Sequence, residues 1–363
     1  MKKILLINSY SFDKIYQEWK DNKSPGHYLF GKIDLDKYED FQVDILPFEK
    51  YPFLNKIGKL IKINFLDQQL RVLFVLHKYD LIYAPFPIDN TRLLTILKYL
   101  GLMKTPIVAL GHQNLYIPPS KGQKHGFKKT LLMQYEKIAF FSKALLEKTK
   151  NDLELTDEIA SKKFTHVSWG AEKAFYDKRE KALPSENSNF VICAGTTDRD
   201  FQLIIEVFRS IDFPLEIYCT PTTRPDVVDL PSHISINSDF IPYADLVERY
   251  RKARMILIPI KKDTIDSGRT LGLTVLLDAL AIGKPVAMTF NKFVDINPGD
   301  CGFGVSIHGH EVDVWKKELS NMIFDNQNLD TMGENARNLF EEKYNSTIFG
   351  EELRLLFNSL DKH

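Results

Sequence analysis

The chain is short of cysteine. Three stand among 363 residues, at positions 193, 219 and 301, odd in number and with no Cys-x-x-Cys pair. That excludes a disulfide framework and a paired-cysteine zinc site, and suits buried thiols in a reducing compartment. Long apolar runs are also missing: no window approaches the ~20 apolar residues of a membrane span. The opening MKKILLINSY carries two lysines and a short apolar run without a small-residue cleavage site. It reads as a first buried strand rather than a secretory leader. Neither Gly-x-Gly-x-x-Gly after a first strand, nor a Walker lysine motif, nor a Gly-x-Ser-x-Gly elbow is present, which argues against a simple dehydrogenase, a P-loop enzyme and a serine hydrolase of that kind. Net charge is zero and no nucleic-acid module is recognisable, so no nucleic-acid partner is expected. His308 and His310 flank Gly309 without a third ligand at zinc spacing, and no metal is expected. Internal repeats and low-complexity tracts are lacking as well.

What is present is ordinary globular material: 44% hydrophobic and 26% charged residues. The length suits two domains of roughly 150 residues each. Charge is unevenly spread. Residues 1–175 hold 27 Lys and Arg against 19 Asp and Glu, and the remainder holds 21 against 29, a split of +8 and −8. Such asymmetry suits a first half that faces an anionic surface.

Short β-branched apolar runs alternate with longer amphipathic stretches. Strands are expected at 4–8, 42–46, 81–84, 107–110, 137–141 and 165–168, and again at 190–194, 215–219, 234–237, 255–260, 285–288 and 304–306. Several are almost wholly apolar, as in parallel strands covered on both faces. Helical patterns lie between them, for example at 90–100, 201–210, 244–252 and 271–282. This is the rhythm of a doubly wound α/β sheet, and it occurs twice. The polar stretch 171–189 reads as the link between the two. The expected domains are 1–175 and 186–345, with a last helix at 346–363 packing back onto the first. Two such domains facing across a cleft would bind a nucleotide-type ligand at the carboxyl ends of their strands.

The most informative segment is 259–289, PIKKDTIDSGRTLGLTVLLDALAIGKPVAMT. A strand gives way to a loop with Gly268, Arg269 and Thr270, then to an apolar helix that stops at Gly283 before Pro285. Gly268 and Gly272 let backbone come close to a ligand, and the free N–H groups of a helix start suit phosphate. Arg269 adds a forked cation suited to a diphosphate. Asp278 is an acid in an otherwise apolar helix; it is either a ribose ligand or an exposed face carboxylate.

This segment resembles the donor-binding segment of retaining GT-B glycosyltransferases of the large family-4 type. Their helix reads roughly LLEAMAxGxPV and stands here as VLLDALAIGKPV. The resemblance implies that Asp278 contacts the nucleotide ribose. A second glutamate, usual eight positions earlier, is replaced by Thr270, or its task falls to Asp266. HVSWGAEKAFYD at 166–177 is similar to the motif that closes the first domain, with Gly170 at the cleft floor and Phe175 as an anchor. FVICAGTTDRDFQLIIEVF at 190–208 looks like the first strand, loop and helix of the donor domain, which makes Arg199 the cation for the diphosphate. The alternative for Arg199 is pairing with Asp198 or Asp200. MGENARNLFEEKYN at 332–345 resembles the C-terminal signature.

In the first half, Gly26 in SPGHYLFG is placed near donor phosphates or acceptor, with His27 at the mouth. His112, in VALGHQN just beyond a strand, matches a histidine that many members place near the donor sugar. Asp89 reads as a helix cap. Basic and aromatic residues mix at 49–65 and 121–143, which suits either contact with an anionic membrane or solvated lysines over a core helix.

The expectation is a hexosyltransferase-type enzyme of bacterial surface polysaccharide assembly, cytoplasmic or peripheral at the inner face of the membrane. It would move a sugar from a UDP- or GDP-type donor to a glycan or lipid-linked acceptor with retention, and without metal or other cofactor. Rival readings are a sugar-nucleotide epimerase or hydrolase of the same fold, an inverting transferase with Asp89 or Asp13 as base, and a degenerate, non-catalytic partner protein.

Overall fold

The computed structural model describes residues 1–120, 126–179 and 181–360, so the start of the 121–143 segment and the end of the 346–363 helix lie outside the described residues. The chain forms two compact units. Unit 1 holds Met1–Trp169 with Ser346–His363, and unit 2 holds Gly170–Asn345.

Unit 1 runs β1 (Lys2–Leu6), α1 (Phe12–Lys20), α2 (Lys32–Leu35), β2 (Phe41–Ile45), α3 (Pro52–Leu60), α4 (Leu66–Val75) and β3 (Leu81–Ala84). It continues with α5 (Arg92–Tyr99), β4 (Ile107–Gly111), α6 (Phe127–Leu132), β5 (Lys137–Phe140), α7 (Lys143–Asp152), α8 (Asp157–Lys163) and β6 (Phe164–His166). The six strands are parallel in the order β2-β1-β3-β4-β5-β6. Side-chain oxygens start several helices: Ser11, Ser142 and Thr156 each accept a first-turn N–H. Asp89 does not cap α5 as expected. It is exposed, the cap position falls to Thr91, and the Thr91 hydroxyl accepts from Ile88 N–H at 3.1 Å.

Unit 2 runs α9 (Lys173–Asp177), β7 (Val191–Ala194), α10 (Phe201–Phe208), β8 (Leu215–Tyr218), β9 (Ile234–Asn237), α11 (Tyr243–Lys252) and β10 (Ile256–Ile258). Then come α12 (Leu273–Ile282), β11 (Val286–Thr289), β12 (Gly304–Ile307), α13 (Val312–Ile323) and α14 (Asn326–Glu342). Its strands are parallel in the order β12-β11-β10-β7-β8-β9. The central strands β7, β10 and β11 are buried along their whole length, which is why they read as unbroken apolar runs. Helices α10 and α13 close one face over a core that includes Phe208, Leu257 and Trp315.

The stretch 171–189 belongs to unit 2 and is strapped to it. Arg251 donates to Lys181 O at 2.7 Å, Lys284 to Leu183 O at 2.8 Å, and Arg254 to Ser185 O at 2.5 Å. Polarity there marks backbone held by side chains of the domain. The last helix, α15 (Ser346–Ser359), packs on α2 of unit 1. Its Glu352 accepts from Ser168 N–H at 2.6 Å, and Lys2 reaches Phe357 O at 2.6 Å.

Candidate functional site

In an open parallel sheet, ligands bind beyond the carboxyl ends of the strands where the connections reverse direction. In unit 2 that point lies between β7 and β10. The loops leaving these two strands are zipped together. Asp200 N–H donates to Pro259 O, Lys261 N–H donates to Asp198 O, both at 3.0 Å, and Arg199 bridges Ile260. Asp198 takes a left-handed φ of 55° to make the turn.

This zip buries Arg199, which is only 8% exposed. A Cβ on Gly195 would stand 2.8 Å from its Cγ and Nε, so only glycine fits beside it. The expected alternative partners are both occupied. The Asp198 carboxylate pairs with Arg269 at 2.6 Å, and Asp200 caps α10 through Leu203 N–H at 3.1 Å. Arg199 keeps a single long bond, from Nη1 to Thr197 O at 3.3 Å, and its buried Nε has no hydrogen-bond partner. Burial pulls its pKa downward. A buried guanidinium with no carboxylate is costly unless an anion completes it.

Arg269 lies in the loop before α12. Asn291 holds that loop, its amide donating to Arg269 O at 3.1 Å and Leu271 O at 3.2 Å. Gly268 is buried with φ 72°. Thr270 accepts Leu273 N–H through its carbonyl at 3.2 Å. Gly272 is the N-cap of α12 at φ 92°. The close approach it permits is to the sheet, because a Cβ would meet Met288 Cε at 2.8 Å and Ile258 Cγ2 at 2.9 Å. Gly272 therefore seats the helix start on the sheet and does not itself clear room for a ligand. Asp266 is exposed and paired with Lys292 at 2.6 Å. His310 meets Ile260 O at 3.1 Å and His308 stacks on Phe290 at 4.2 Å, so each has a separate local task.

Asp278 is not an exposed face carboxylate. It is 1% exposed, and its Oδ1 accepts from the hydroxyls of Tyr176, at 2.5 Å, and Tyr243. Burial raises its pKa to about 6 against the lowering effect of those two bonds. Sequence reading missed both tyrosines. Gly170 lies against the segment 344–345, where a Cβ would sit 2.3 Å from Asn345 O. Its task is to let two backbones lie side by side, with Ala171 pairing in parallel with Asn345.

In unit 1 the reversal lies between β1 and β3. Ile7 N–H still donates to Tyr83 O at 3.0 Å, and Asn8 follows, buried, with Oδ1 unpartnered. Around this end stand aromatic rings. Tyr10 packs on Phe86 at 5.5 Å, Phe86 on Phe30 at 5.5 Å, and Trp169 stacks on Phe30 and Phe141 at 5.5 and 5.4 Å. His112, half-buried beyond β4, meets Phe86 edge-on at 4.8 Å. Gly26 is wedged between Ile33 and Trp19, within 2.8 and 3.0 Å of a Cβ, and opens onto no ligand space. His27 is buried rather than at a mouth, and burial drives its pKa down to about 3. The amides of Gln68 and Asn90 are fully buried with neither polar atom partnered.

Comparison with known structures decides the fold. HepE of Anabaena, solved in complex with UDP and glucose, is 13% identical, with a TM-score of 0.64 over 99% of this chain and 100% of that one. Sucrose-phosphate synthase of Thermosynechococcus elongatus is 12% identical, with a TM-score of 0.68 over 99% of each chain. This chain has the GT-B fold. A Listeria monocytogenes structure, described as that of a candidate UDP-N-acetylglucosamine 2-epimerase, also matches, at 10% identity and a TM-score of 0.56 over 100% of this chain and 96% of that one. At such identities the GT-B likeness carries architecture and leaves the reaction to the site. No protein-family model and no curated protein sequence matches the chain.

Proposed function

We propose that this chain is a glycosyltransferase that uses a nucleoside-diphosphate sugar. The observation that carries the reading is Arg199: a buried cation without a carboxylate, at the reversal point of the unit 2 sheet. A diphosphate is the anion that would complete it, with Arg269 and the N–H groups opening α12 as further donors. In the reaction the anomeric carbon–phosphate oxygen bond breaks and the acceptor oxygen takes the carbon. By resemblance the departing phosphate oxygen receives the acceptor proton on the same face, giving retention without a separate base. Arg199 and Arg269 stabilise the charge that develops on the leaving group. Asp278 is assigned to the nucleotide ribose, together with the tyrosine hydroxyls that hold it, and His112 to the transferred sugar.

The acceptor is assigned to unit 1. Aromatic rings beside Asn8 suit sugar faces, and the unpartnered amides of Gln68 and Asn90 are the kind of group that hydroxyls satisfy. A hexose as the transferred sugar, a glycan or lipid-linked acceptor, a cytoplasmic setting and a place in surface polysaccharide assembly complete the proposal. Among the described residues no helix is long and apolar enough to cross a membrane.

The test is donor turnover, followed by mass spectrometry with UDP- and GDP-sugars and mixed glycan acceptors. Arg199→Ala and Arg269→Ala should each cut turnover strongly; wild-type turnover in both would sink the assignment. Rearranged donor without transfer would select the epimerase reading.

A further inference from the structure

We propose that α3 docks this protein onto an anionic lipid surface. The helix is amphipathic, but its apolar stripe faces water. Phe53, Ile57, Leu60 and Ile61 are 59%, 45%, 83% and 55% exposed. Their spacing of four, seven and eight residues from the first places them on one helical face. Single exposed apolar residues are ordinary; a contiguous stripe of four large ones marks a contact surface.

The opposite side is what joins the helix to the body. Gly58 is buried, and a Cβ there would meet Ile63 O at 2.3 Å and Leu66 Cβ at 2.8 Å. α3 packs on α4 through this side. The helix is therefore held with its apolar face outward.

Charge selects the occupant. Lys50, Lys56, Lys59 and Lys62 are exposed, and no acid lies between positions 50 and 62. Arg92 donates to Lys62 O at 2.9 Å and adds a cation beside the helix end. The nearest acid in sequence, Glu49, accepts from Asn55 at 2.6 Å; Asp67, which accepts from the Lys50 and Tyr51 N–H groups at the helix start, is buried and paired with Arg71. An apolar stripe rimmed by lysines matches acyl chains below and lipid phosphates around it. A second copy laid face to face would set these cations against their own twins. The proposal rests on the lipid-linked acceptor of the preceding reading for its purpose, not for its evidence.

The test is co-sedimentation of the full chain with phosphatidylcholine vesicles, with and without phosphatidylglycerol. Binding should require phosphatidylglycerol and weaken with salt. Leu60→Asp should abolish it. Lys56→Gln with Lys59→Gln should weaken it by about fivefold per lysine. All three positions are exposed, so melting points should match wild type. No binding to phosphatidylglycerol vesicles, or equal binding by Leu60→Asp, overturns the proposal. So does a dimer that Leu60→Asp dissociates in the absence of vesicle binding. Donor turnover measured in detergent-free solution is independent of α3, so its loss or survival reports on the transferase reading alone.

Discussion

Asp278→Asn removes one buried charge and leaves an oxygen for the hydroxyls of Tyr176 and Tyr243. In the native protein, burial raises this carboxyl from 3.8 to about 6. Between those values the folded protein keeps a proton that the unfolded chain has lost. Stability therefore falls as pH rises through the window, and the full penalty stands above it. At about 1.36 kcal/mol per pH unit the penalty is about 3 kcal/mol. For a domain the size of unit 2, roughly 2–4 °C per kcal/mol converts this to roughly 6–12 °C in melting temperature. The asparagine variant is exempt. Scanning fluorimetry of both proteins from about pH 4 to about pH 7.5 should show the variant gaining on wild type as pH rises, with the change complete a little above pH 6. Parallel curves would refute the reasoning: the carboxyl would then titrate as an ordinary one, and the tyrosine cage would not bury it.

Arg199→Met should raise the melting temperature of the ligand-free protein, because a buried cation without a carboxylate is replaced by an apolar chain of similar reach. The same change should cost about 10²–10³ in turnover, in line with loss of a transition-state donor; coupled turnover and melting measurements read both. Arg269→Ala removes a half-exposed pair with Asp198, so stability should change by less than about 1 kcal/mol while turnover drops. Gly272→Ala forces a Cβ against Met288 and Ile258 at a left-handed φ of 92°. Denaturant unfolding should report a loss of about 1–3 kcal/mol.

The fold was legible because buried parallel strands advertise themselves. Runs such as 81–84 and 190–194 are apolar on both faces and short, and each of the twelve expected strands is present. Their ends shift by a residue or two, as for β1, expected at 4–8 and found at Lys2–Leu6, since apolar residues continue past the last ladder bond. Helix α12 was legible in kind, from its glycine stop at 283, where φ is 78°. Its partners were not. Tyr176 and Tyr243 reach Asp278 from 102 and 35 residues away in sequence, and nothing local marks such a meeting. Asn291 is of the same kind, a latch whose use shows only once β11 lies beside the α12 loop. Gly272 and Gly170 read as special positions, but what approaches them is sheet and neighbouring backbone. For α3 the sequence pattern shows an apolar stripe yet cannot say whether it faces core or water; Gly58, set against Ile63 and Leu66, decides that.

The unit 2 site is proposed to take a nucleoside diphosphate, and a thermal-shift series with UDP, GDP, CDP, ADP and their sugars tests this most directly. A ligand that binds only the folded state must raise the melting temperature. Selective stabilisation by one diphosphate, lost in Arg199→Met and weakened in Asp278→Ala, is the predicted result. No shift with any of them at about millimolar concentration, which would exceed any useful donor affinity, would contradict the claim and leave a scaffold of transferase shape without a donor.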